Sequence, residues 1–255
     1  MTPTDLVRAE FVALDGERRG YLALPGAAGP HKAVLVYQEA FGVNRYVQAE
    51  CERLARAGYA ALAPDLFRGE TYSYGDRPKV VEKLKSLSDN YLLGDVRAAI
   101  GYLDKLGVVE HGTYGALGFC MGGRLAILTA IELGKKIAAA VSFYGGNIAP
   151  QTSRFGWPIL LERVAEIEGA VLLFYGADDD TIAPDEHARL ADALSTAKKR
   201  YAISVFPNSG HAFASVDRES YRPAAAEAAW REALVFLRET LAPAGAQHQE
   251  RKVRT

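Results

Sequence analysis

Six short runs along the chain are strongly apolar and separated by stretches in which apolar residues recur every three or four positions. The runs fall at Ala33–Tyr37, Tyr59–Ala63, Thr113–Leu117, Ile137–Phe143, Ala170–Tyr175 and Tyr201–Phe206. Runs of this length without polar alternation read as strands buried on both faces. Two earlier runs, Ala9–Leu14 and Arg19–Leu24, flank Asp15-Gly16 and predict an antiparallel hairpin. Between the strands the period lengthens to that of a helix. Asn44–Ala57 sets Val47, Cys51 and Leu54 on one face, and the run RLAILTAIEL is predicted to be helical as well. Pro184 and Pro223 each open a further helix, at the position where a missing N–H costs nothing. In the last of these, Trp230, Leu234 and Leu237 share a stripe. The pattern predicts an α/β protein: a mostly parallel eight-stranded sheet with an N-terminal antiparallel hairpin and helices on both faces. Residues 1–241 read as a single domain, and the charged, low-complexity tail 242–255 reads as frayed.

Composition narrows the class. With 255 residues, half of them apolar, the chain can build one large core without disulfide staples. The net charge of −1 is spread evenly, with no basic stripe to suggest a nucleic-acid partner. The first twenty residues lack the cationic and apolar segments of a secretion signal, and no run reaches the roughly 18 apolar residues of a membrane span. The two cysteines, Cys51 and Cys120, lie far apart and form no metal-ligand spacing. A cytoplasmic chain is expected, as a monomer or small homo-oligomer with a small-molecule partner.

The candidate chemistry begins at Gly118-Phe119-Cys120-Met121-Gly122-Gly123, between a predicted strand and a predicted helix. A nucleophile elbow has this context: a tight turn that pushes one side chain outward, with small residues where backbones come close. A thiol there is reactive as its thiolate, which a helix N-terminus favours. A nucleotide-binding turn is the rival, but no Gly-Lys-Ser/Thr follows, and the glycine spacing differs from the dinucleotide fingerprint. Downstream, the strand at 170–175 runs into Asp178-Asp179-Asp180, and the strand at 201–206 runs into Asn208-Ser209-Gly210-His211. Nucleophile, acid and histidine thus follow one another at successive strand ends, in the chain order of an α/β hydrolase. Asp179, three residues past Gly176, is the expected acid; solvated loops are the plain alternative for the aspartates and the histidine.

The stretches VLVYQEAFGVN, YAALAPDLF, GALGFCMGG, FYGADDDTIAP and SGHAF resemble the dienelactone hydrolase family (carboxymethylenebutenolidase-like) of the α/β-hydrolase superfamily. The resemblance runs from about residue 33 to 215 and implies an α/β-hydrolase fold that cleaves ester or lactone bonds without metal or organic cofactor. It implies a Cys120–Asp179–His211 triad, with Glu39 as a carboxylate near the thiol that takes its proton when substrate binds. It also implies an oxyanion hole built from the backbone N–H groups of Ala40 and Met121.

The family binds its anionic lactone with arginines, and here the pattern departs. Ser215 stands four residues after His211, where the family has an arginine. For the second arginine, Arg77 is the local candidate, while Arg218 and Arg222 are near enough in sequence to replace the first. Tyr144, at the end of a predicted strand, is a candidate pocket residue. Two other readings remain: a general carboxylesterase or thioesterase for uncharged substrates, and a non-catalytic hydrolase fold used for binding or thiol sensing.

Overall fold

The computed structural model describes residues 6–242. Eight strands form one sheet: β1 (Val7–Asp15), β2 (Arg18–Pro25), β3 (Ala33–Tyr37), β4 (Ala60–Pro64), β5 (Tyr114–Phe119), β6 (Ile137–Phe143), β7 (Ala170–Gly176) and β8 (Tyr201–Phe206). Their spatial order is β1-β2-β4-β3-β5-β6-β7-β8. β2 pairs antiparallel with both β1 and β4, and every pair from β4 to β8 is parallel. Every residue of β3, β4, β5 and β7 is buried, as expected of runs with no polar alternation. The edge strands β1 and β8 are partly exposed.

Six helices cover the sheet: α1 (Arg45–Arg56), α2 (Arg77–Ser86), α3 (Asp89–Leu103), α4 (Met121–Leu133), α5 (Pro184–Thr196) and α6 (Pro223–Leu241). Asn44 caps α1 by accepting a bond from the Val47 N–H at 3.2 Å, and Arg53 and Arg56 complement the dipole at its other end. The forecast stripe of Val47, Cys51 and Leu54 is fully buried. Arg53 ties α1 to α6, pairing with Glu227 at 3.1 Å and lying over the Trp230 ring. Arg124 of α4 pairs with Asp89 of α3 at 2.6 Å. The helices α2 and α3 fall where the sequence reading placed none. Of the two, α3 carries a buried stripe of Leu92, Val96, Ile100 and Leu103 behind a Ser88 cap, whereas α2 buries only Val80 and Leu84. Among the described residues no helix is long and apolar enough to cross a membrane. The tail 243–255 lies outside the described residues.

The parallel strands all deliver their carboxyl ends to one edge of the sheet, where ligands collect in open α/β folds. Leu54 offers a test of the packing that holds this edge in place. Leu54→Ala is expected to cost about 2–5 kcal/mol in chemical denaturation while leaving the geometry of the strand ends, and so the reactivity of Cys120, intact in the folded fraction.

Candidate active site

Cys120 sits between the last residue of β5 and the first of α4, at φ 53° and ψ −116°. A residue with a Cβ resists this region, at a cost on the order of 1–3 kcal/mol. The turn is held by close backbone approach. A Cβ on Gly118 would stand 2.0 Å from the Gly122 carbonyl oxygen, and one on Gly122 would stand 2.3 Å from that of Tyr37. A Cβ on Gly123 would meet Ser142 Oγ at 2.7 Å. Only glycine fits these three places. The Cys120 N–H donates to Phe143 O at 3.0 Å, and its carbonyl accepts from the Arg124 N–H at 3.2 Å. The strained thiol is thus fixed from both sides and pushed outward.

His211 arrives on the loop after β8, just before Ala212 at φ 64°. Its Nδ1 bonds Asp179 Oδ2 at 2.9 Å. The other carboxylate oxygen of Asp179 accepts from the Thr181 and Ile182 N–H groups at 2.8 and 3.0 Å. Asp179 is buried, whereas Asp178 and Asp180 are exposed, which selects one acid of the three. Burial pulls the imidazole down. The neighbouring Cys120 and the Asp179 carboxylate outweigh it, and His211 is pushed up to about 10. Nε2 has no hydrogen-bond partner of full geometry, yet Cys120 lies near enough to raise the proton affinity of the ring.

The loop after β3 brings Glu39. Gln38 anchors it, its Oε1 accepting from the Leu66 N–H at 3.2 Å. Gly42, at φ 86°, closes the loop where a Cβ would meet Glu70 O at 2.4 Å. Glu39 is 1% exposed, and neither carboxylate oxygen has a hydrogen bond of good geometry. Burial pushes its carboxyl above the usual range, opposed by the charges of Arg218 and His211 and by the nearby Tyr144 phenol. Such a carboxyl is ready to take a proton.

Tyr144 is fully buried, its ring edge-on to His211 at 5.3 Å and its hydroxyl 3.4 Å from that of Tyr46. It supports His211 and Glu39 from behind and does not line the open cavity. Arg77 is exposed at the start of α2 and is likewise absent from the cavity wall. Ser215 is buried near the Tyr74 phenol. Of the two substitute arginines, Arg222 spends its guanidinium on the carbonyls of Asn208, Glu219 and Tyr221. Arg218 lies over the rings of Phe41 and Tyr74 at 5.2 and 4.9 Å and is the cation that acts on Glu39. The structure thus separates two arginines that the sequence could not. Cys120, Met121, Asp179 and His211 all open onto a cavity of about 790 Å³. Its far wall is the loop 146–157 and the start of α5, which the sequence reading had not connected with the site.

The sheet order, with its antiparallel pair β1 and β2 and its parallel remainder, is that of an α/β hydrolase, and the chain's relatives make it a hydrolase of carboxylic ester or lactone bonds. The chain belongs to the dienelactone hydrolase family, whose model matches residues 18–241. It is 33% identical, over 92% of its length and 96% of the relative's, to a Bradyrhizobium protein named "Probable 2-oxo-3-(5-oxofuran-2-ylidene)propanoate lactonase". It is 32% identical to a "Putative carboxymethylenebutenolidase" of Methylorubrum extorquens, over 85% of this chain and 75% of that one. A solved structure, "Putative Dienelactone Hydrolase" from Klebsiella pneumoniae, superposes with a TM-score of 0.84 at 28% identity, covering 91% of this chain and 98% of the other.

The charge coupling has a measurable sign. Because the Asp179 bond helps keep the imidazole protonated, Asp179→Asn lets it lose its proton at lower pH. Alkylation of Cys120 by iodoacetamide near neutral pH is expected to slow in that variant and to recover as the solution is made alkaline. An unchanged pH profile would contradict the coupling.

Proposed function

We propose that the chain hydrolyses ester or lactone bonds through a Cys120–Asp179–His211 triad and a thioester acyl-enzyme. The observation that carries the reading is the carboxylate-bound His211 beside a thiol held at a strained turn, both opening on one cavity. Substrate entry drives the Cys120 proton onto Glu39, and the thiolate attacks the carbonyl carbon. The negative charge that develops on the carbonyl oxygen falls to the N–H groups of Ala40 and Met121. Met121 opens α4, so its N–H belongs to the unpaired donors of a helix start. The contact of Gly122 with the Tyr37 and Gln38 carbonyls lays the Ala40 loop against that same turn. Imidazolium of His211 gives its proton to the leaving oxygen, and the C–O bond breaks. Now neutral, His211 takes a proton from water, which attacks the thioester. Collapse releases the acid and the thiolate, and Glu39 returns the proton to sulfur.

Nothing in this cycle calls for metal or organic cofactor. A reducing compartment, the cytoplasm, suits a chain whose reactivity rests on a free thiol. The second reading, an esterase for uncharged substrates, gains from Ser215 in place of the family arginine and from the position of Arg77 outside the cavity.

Cys120→Ala and His211→Ala are each expected to remove hydrolysis of p-nitrophenyl acetate while circular dichroism stays that of the wild type. Wild-type turnover in either variant would refute the assignment. Glu39→Gln is expected to slow the acylation burst by about 10²–10⁴-fold, and an unchanged burst rate would remove Glu39 from the cycle.

A further inference from the structure

The cavity beside Cys120 is larger than the reacting groups require. At about 790 Å³ it lies in the upper part of the roughly 300–1,000 Å³ range that encloses drug-sized ligands. Nearly all of its extra room is bounded by the loop between β6 and the 3₁₀ turn at 161–166, together with the start of α5.

This loop is a built structure. Asn147 holds it across its own span: Oδ1 accepts from the Arg154 N–H at 2.7 Å, and Nδ2 reaches Trp157 O at 3.5 Å. Ser153 Oγ also donates to Trp157 O. Glu186 of α5 fastens the beginning of the loop by accepting from the Ile148 and Ala149 N–H groups at 3.1 and 3.0 Å. At its end, Trp157 is buried, donates Nε1 to Leu87 O at 3.1 Å and carries the Arg124 guanidinium on its face. Held on this frame, Phe155 adopts φ 58°, a region that a bulky side chain avoids. Its partly buried ring stands 5.6 Å from that of Trp157 and lines the cavity with Met121, Leu84 and Pro150. Gly156 follows at φ 76°, so the ring is carried on a tight turn.

The charges on the wall define what fits. Four carboxylates (Asp179, Asp180, Asp185 and Glu186) line the cavity against three cations, Arg154, Arg189 and the imidazolium of His211. Arg189 is taken up by Asp185 at 2.6 Å and by Ala149 O at 2.9 Å. Arg154 sits close enough to Glu186 to act on its charge. An anionic group entering here meets one carboxylate in excess of the cations, whereas an uncharged ring meets Phe155, Met121 and Leu84.

We propose that the 146–157 loop forms a specificity pocket for an uncharged aromatic arm of the ester or lactone substrate, with Phe155 as its specificity-determining residue. The proposal rests on Cys120 as the nucleophile that opens on the same cavity. Aromatic packing of this kind is worth about 0.5–1.5 kcal/mol beyond the area buried, and loss of the ring removes both contributions.

The test compares ethyl acetate, followed by titration of the acid released, with two esters carrying an extended aryl arm, 4-phenylphenyl acetate on the alcohol side and p-nitrophenyl 4-phenylbutyrate on the acyl side, each also made with a carboxylate on the distal ring. The wild type should prefer at least one uncharged aryl-arm ester to its carboxylate analogue on the order of tenfold in kcat/KM. Phe155→Ala should lower kcat/KM for that ester by a similar factor, chiefly through KM, with ethyl acetate held within about twofold. Turnover of the acetate serves as the check on folding, and Phe155→Leu, which keeps bulk but loses the ring, replaces the alanine variant if that check fails. Preference for the carboxylate analogues, or a Phe155 variant that affects all esters alike or none, overturns the proposal. Acetate turnover by Cys120→Ala overturns the nucleophile instead, so the two failures are distinguishable.

Discussion

Close backbone approach at the turn after β5 is the constraint on which the site depends. Three glycines let α4 start against β3, β5 and β6 at distances no side chain would permit. That contact forces Cys120 into a conformation it would not choose and fixes its sulfur at the edge of the sheet. The strain costs little beside the burial of β3, β5 and β6, whose side chains are almost all out of water and hold the turn in register. The same approach lays the loop of Glu39 against the helix start, so one geometric requirement positions the thiol, the carboxyl and the two N–H groups together.

Electrostatics then divides the work among the groups so positioned. His211 is tied to Asp179, whose second oxygen is itself held by two backbone N–H groups, so the imidazole cannot turn away. Its proton affinity is raised by the sulfur and the carboxylate beside it. In the proposed cycle this residue acts as acid in the first half and, once the sulfur is acylated, as base in the second. Glu39 is governed by the opposite force. Burial without a well-formed hydrogen bond makes its charge costly, and Arg218, held between Phe41 and Tyr74, offsets part of that cost.

How much of this the chain discloses before folding depends on whether the signal is local. The buried strands are legible because unbroken apolar runs have one physical meaning, and β3, β6 and β8 fall at the residues expected. The glycines around Cys120 are legible because a tight turn needs them wherever it occurs. The helix α3 was also readable, from Ser88 and the stripe Leu92, Val96, Ile100, Leu103, although it was not assigned. By contrast, α2 is short and buries only Val80 and Leu84, while its Val81 is exposed, so its stripe is brief. Choosing Arg218 over Arg222 needed the rings of Phe41 and Tyr74, which lie more than a hundred residues away in sequence. The 146–157 loop is illegible for the same reason: its clamp through Asn147 and Glu186 exists only once α5 has packed beside it.

The proposed cycle passes through one bond, between the sulfur of Cys120 and the acyl group of the substrate. Intact-mass spectrometry of the protein quenched with acid during turnover of an aryl ester, followed by peptide mapping, measures that bond. An added acyl mass on the peptide containing Cys120, released by hydroxylamine and longer-lived in His211→Ala, is the predicted result. Turnover that proceeds with no acyl mass at Cys120 in either protein, or with the mass on another residue, would contradict it.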